Sequence, residues 1–106
     1  MAIVTDEAVE IVGKFLRMIR DANINIEKAI LFGSYAKGYA GKWSDIDIAI
    51  VSPDFSGIPF YDRKMLNPFL LKVDSRIELH PFRPEDFTED NEFVREIIKN
   101  GVEVKI

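Results

Sequence analysis

Residues 45–51 read Asp-Ile-Asp-Ile-Ala-Ile-Val. Strict alternation followed by an apolar run has the period of a β-strand, with successive side chains on opposite faces. Asp45 and Asp47 therefore share one face, and Ile46, Ile48 and Ile50 share the other. Aspartate is depleted in strands, two neighbouring carboxylates repel, and burying an unpaired charge is costly. No lysine or arginine lies within the run to neutralise them. A divalent cation with a preference for oxygen solves this problem, and magnesium takes one or two carboxylates together with waters and substrate phosphates.

The residues before the strand supply what a phosphate needs. Lys28–Phe32 is a short apolar strand ending at Gly33-Ser34. A helix starting at "SYAKG" would offer backbone N–H groups and a hydroxyl at its positive end. Gly33 permits close backbone approach. Lys37 or Lys42 adds positive charge. A third carboxylate, Glu78, lies in the apolar run "RIELHPF". If that run pairs beside the Asp47 strand, Glu78 faces the same crevice and completes a site for two metal ions, which stabilise the attacking and leaving oxygens of an in-line displacement. His80 falls on the same face as Glu78. A lone histidine is more often structural, and Arg76 is read as a salt-bridge partner.

The rest of the chain supports a sheet covered by helices. Thr5 caps a helix whose stripe is Val9, Val12, Leu16 and Ile19, widened by Ile11, Phe15 and Met18, and which stops near Ala22 or Asn23. Pro59–Val73 reads as a helix that Pro68 should kink or restart. Residues 91–100 form a last helix with Phe93, Val94, Ile97 and Ile98 inward and Gly101 as C-cap. "VEVKI" is a terminal strand or an extended tail. Phe60, Tyr61, Phe69 and Phe82 are read as core, and Tyr39 and Trp43 as loop anchors. Helices and strands alternate, so the expected fold is α/β (α+β), a small mixed sheet of about three to four strands flanked by helices. At 106 residues, one domain spanning 1–106 is expected.

"LFGSYAKGYAGKWSDIDIAIV" followed by "IELH" resembles the nucleotidyltransferase superfamily of DNA polymerase beta, in its minimal, MNT-type branch. The shared pattern is a hydrophobic residue and Gly-Gly or Gly-Ser, roughly ten residues, two acids flanking a hydrophobic residue, then a distal carboxylate on a later strand. The resemblance implies a polymerase beta palm-like fold. It implies that Gly33 and Ser34, with Lys37 near the phosphates, hold ATP. Asp45 and Asp47 would bind both magnesium ions. Glu78 would bind the catalytic ion and orient or deprotonate the attacking hydroxyl. Many relatives carry aspartate at this third position, so Glu78 is a departure by one methylene; Asp74 is the fallback. Minimal members are often paired with a HEPN-type protein in toxin–antitoxin systems and transfer AMP to a tyrosine on it. The resemblance therefore suggests an antitoxin that is a protein adenylyltransferase. The alternatives are transfer to a small molecule or an RNA end, and a binding module that neutralises its partner without catalysis.

Composition narrows the choice. The net charge of −4 speaks against gripping a nucleic-acid backbone. With no cysteine there is no disulfide framework and no thiolate zinc site. No apolar run approaches the ~20 residues that span a bilayer. No signal peptide is read at the N-terminus, and a cytoplasmic setting is expected.

Overall fold

The computed structural model describes residues 6–33 and 45–105. The elements are helix α1 (Asp6–Asp21), strand β1 (Lys28–Phe32), strand β2 (Ile46–Val51), helix α2 (Pro59–Val73) and strand β3 (Ile77–Phe82). A 3-10 turn (Pro84–Asp86), helix α3 (Glu92–Asn100) and the two-residue strand β4 (Val102–Glu103) follow. The expectations for Thr5, Ser34, Lys37, Tyr39, Lys42 and Trp43 lie outside the described residues.

The strands form one mixed sheet in the order β3-β2-β1-β4. β1 runs antiparallel to both β2 and β4, and β2 runs parallel to β3. Alternation divides the sheet into two faces. One face presents Ala29, Leu31, Ile46, Ile48, Ile50, Ile77 and Leu79 to Val12, Phe15, Leu16 and Ile19 of α1 and to Leu66 and Leu70 of α2. The opposite face carries Ile30 and Ala49, packed on Ile97 of α3, with Phe32, Phe82 and Phe87 beside them. Asp47, Glu78 and His80 belong to this second face by register. The second face is the less covered one, so it can hold polar side chains that the α1–α2 side would exclude.

Local chemistry explains the element ends. The Asn91 side chain caps α3 by accepting from the Phe93 and Val94 N–H groups at 2.8 and 3.3 Å. Gly101 follows α3 in an extended conformation, where any side chain would collide with Ile30 and the Ile97 carbonyl. Asp62, in the first turn of α2, is buried. Its carboxylate accepts from the Ser56 N–H (2.8 Å), the Ser56 hydroxyl (2.9 Å) and the Gly57 N–H (3.2 Å), tying the preceding loop to the helix.

Several sequence expectations are corrected. α2 runs through Pro68 as one helix. Pro68 and Lys64, whose carbonyl loses its helical donor, are both solvent-exposed, so water can satisfy that oxygen. Phe60 and Tyr61 are 68% and 58% exposed and are not core. α2 is apolar around much of its circumference; Leu66 and Leu70 are its buried apolar side chains, with Phe69 and Val73 packed at the edge of the same core. Phe69 and Phe82 are half-buried. Val9, Phe93 and Ile98 also lie at the exposed margins of their stripes, while Val94 and Ile97 point inward.

Candidate functional site

The site forms where β1 ends and β2 and β3 begin. Three separate sequence segments meet there because of strand register. Phe32 opposes Asp47 across the β1–β2 pair, and Asp47 opposes Glu78 across the parallel β2–β3 pair. Parallel register puts Asp47 and Glu78 on the same face, so both carboxylates open onto one crevice. His80, two residues beyond Glu78, returns to that face.

Asp47, Glu78 and His80 each offer one ligand atom, and these atoms lie within 4.8 Å of one another. Asp47 is half-buried and Glu78 is exposed. His80 Nε2 and Asp47 Oδ1 stand 3.2 Å apart; with the ring proton on Nε2 they hydrogen-bond, and with it on Nδ1 the Nε2 lone pair is open to a cation. The imidazole is held edge-on by two rings, Phe32 at a centroid distance of 5.0 Å and Phe93 at 5.6 Å. Only 18% of the His80 side chain and 23% of the Asp47 side chain are exposed.

Gly33 closes the other side of Asp47. It has φ +75°, in the left-handed region, and a Cβ there would collide with the Asp47 carboxylate Oδ2. Two independent reasons therefore require glycine: the backbone conformation and the space taken by the acid. Gly33, where the turn expected to cradle phosphate begins, thus abuts the acidic strand directly.

Asp45 stands one residue before β2 and is exposed. It is not in the group formed by Asp47, Glu78 and His80. It lines a neighbouring cavity of about 270 Å³ together with Arg63, Asn67, Arg76 and Glu78. Glu78 is thus common to the cavity and the acidic group. Arg63 is tied to the edge of this cavity by its Nε–H, which donates to the Leu79 carbonyl at 3.1 Å.

Asp74 and Arg76 are committed to each other. Arg76 donates through Nε and Nη2 to the two Asp74 oxygens at 3.1 and 2.8 Å, and Nη2 also reaches Glu7 at 3.3 Å. The side-chain hydrogen bond from Arg76 is the main reason that the Asp74 carboxyl is held below its ordinary value. The salt-bridge reading of Arg76 holds, and Asp74 is not part of the acidic group. His80, which the sequence favours as structural, lies beside Asp47 and Glu78. Its alternation with Glu78 was visible, but its aromatic supports come from β1 and α3.

The donor set suits a divalent cation: two carboxylates and an imidazole on adjacent rigid strands. The sequence profile of the nucleotidyltransferase domain family matches residues 12–104, and the chain belongs to that family. No curated protein matches the sequence. Among solved structures, a candidate nucleotidyltransferase from Sulfolobus solfataricus superimposes with a TM-score of 0.67 at 20% identity, covering 92% of this chain and 78% of that one. A chain of a toxin–antitoxin complex with AMP-PNP superimposes with a TM-score of 0.65 at 23% identity, covering 88% and 71%. Both likenesses are of fold. Among the described residues, no helix is long and apolar enough to cross a membrane.

Proposed function

We propose that this chain transfers a nucleoside monophosphate, AMP from ATP, to a hydroxyl on a HEPN-type partner protein, and so acts as the antitoxin of a pair. The observation that carries the reading is the parallel register of Asp47 with Glu78 beside the Gly33 turn. Family membership supports the transferase chemistry. The fold shared with a toxin–antitoxin complex bound to AMP-PNP supports the nucleotide and the kind of partner.

In this mechanism Asp47 and Glu78, with Asp45 nearby, would hold magnesium, which would neutralise charge on the phosphates and favour loss of the acceptor's proton. Gly33 and Ser34 bind the triphosphate through backbone N–H groups and the serine hydroxyl, with Lys37 adding charge. The acceptor hydroxyl oxygen attacks the α-phosphorus, and the bond from that phosphorus to the bridging oxygen of the β-phosphate breaks. Pyrophosphate leaves, and a Glu78 carboxylate oxygen takes the hydroxyl proton. The reaction belongs in the cytoplasm, where ATP and a partner protein meet.

The test is incubation with α-labelled and, separately, γ-labelled ATP, offering the partner protein, total RNA and small hydroxyl compounds as acceptors. The proposal expects α-label alone, on the partner protein alone. α-Label on RNA or on a small molecule would keep the transferase and replace the acceptor.

A further inference from the structure

We infer that His80 is a nitrogen ligand to the cation, making this a mixed oxygen–nitrogen site that favours a divalent first-row transition ion over magnesium. The inference rests on the metal-binding reading of Asp47 and Glu78 above and deepens it.

Geometry carries the argument. Ligand atoms on neighbouring corners of one octahedral cation, each ~2.0–2.2 Å from it, stand ~3 Å apart. His80 Nε2 and Asp47 Oδ1 stand 3.2 Å apart. A Glu78 carboxylate oxygen lies within the same 4.8 Å span. His80 and Asp47 already stand at the spacing of neighbouring corners, and the exposed Glu78 side chain is within reach of the same ion. The ring is also pre-oriented: Phe32 and Phe93 hold it edge-on, so little freedom remains to be lost on binding. Imidazole suits first-row ions such as iron, nickel and zinc, whereas magnesium is held by oxygen; manganese(II) is the weakest binder of that row and serves as its paramagnetic probe. Aspartate and glutamate alone would carry no such preference.

His80 is the single histidine of the chain, so a histidine nitrogen signal has only one source. The test uses the untagged full chain and manganese(II) alone, without ATP or partner. The readouts are binding affinity by electron paramagnetic resonance and nitrogen-14 modulation of the bound ion's electron spin echo. The wild type should show that modulation, and growth with nitrogen-15 histidine should replace it. His80→Gln keeps an N–H donor for Asp47 but has no imidazole. It should lose the signal and at least ~10-fold in manganese affinity, the low end of the effect of altering even a ligand's supporting contact. Its magnesium affinity should change less. Circular dichroism reports whether the variant is folded, and the isotope experiment on wild type needs no variant. Manganese bound with no histidine-nitrogen signal would overturn the inference and leave the transferase reading standing. Failure of the wild type to bind manganese at all would overturn both.

Discussion

Asp47 and Glu78 face each other in register across the parallel β2–β3 pair, two like charges on one face of the sheet. A folded chain retains such a pair at some electrostatic cost when a ligand makes use of it. Removing one charge should therefore harm activity and spare the fold. Asp47→Asn keeps the shape of the side chain and an oxygen within reach of His80. It should lower transfer activity by about 10³-fold, the worth of several kcal/mol of charge stabilisation. Its denaturation midpoint should be equal to or above that of the wild type. Parallel activity and urea-unfolding measurements check both halves.

Gly33 is squeezed between a left-handed backbone and the Asp47 carboxylate. Gly33→Ala should cost about 1–3 kcal/mol for the backbone conformation. It should also displace Asp47. Stability from urea melts and cation affinity from calorimetry should both fall. Recovery of stability without recovery of affinity in the Gly33→Ala/Asp47→Gly double variant would locate the damage at this contact.

The Asp62 carboxylate closes the loop before α2 by accepting three hydrogen bonds. Asp62→Ala leaves the Ser56 and Gly57 N–H groups without that acceptor, at about 1–3 kcal/mol. Leu66→Ala, one turn further along and fully buried against the sheet, should cost about 2–5 kcal/mol. Either loss is large beside the ~5–15 kcal/mol that stabilises an ordinary domain. Equilibrium unfolding measures both.

Acid should weaken the fold through Asp74. The side-chain hydrogen bond from Arg76 depresses its folded pKa below the ordinary 3.8, outweighing the opposing effect of burial. A depressed carboxyl contributes its full stabilisation above the unfolded pKa and loses it as pH falls through the folded one. The stability difference between wild type and Asp74→Asn should be constant near neutral pH, shrink once pH drops below about 4, and vanish at lower pH. Urea melts across that range test the sign. Arg76→Gln should raise the Asp74 pKa, visible in its carboxyl carbon shift.

Much of this arrangement was legible in the chain. Alternation alone placed Asp47 opposite the Ile46–Ile48–Ile50 core face, and the acid on the "IELH" run proved to sit one strand over in register. Those signals are local, and period-2 patterning expresses them directly. What was hidden is non-local. The His80 ring takes its orientation from Phe32 and Phe93, which approach from other elements. Phe60 and Tyr61 looked like core because apolar residues occupy α2 on several sides. Only the docking of Leu66 and Leu70 decides which side is buried. Asp45 reads as the twin of Asp47, yet it stands just outside the strand and lines the adjacent cavity.

The most direct test of the central claim compares wild type with the Asp45→Asn/Asp47→Asn double variant, using magnesium and, separately, manganese(II), with α-labelled ATP and the partner protein. Label on the partner with wild type alone is the predicted result. If no label appears with either protein and the double variant still binds and neutralises the partner, the chain is a binding module on a nucleotidyltransferase fold, and the transferase account is wrong.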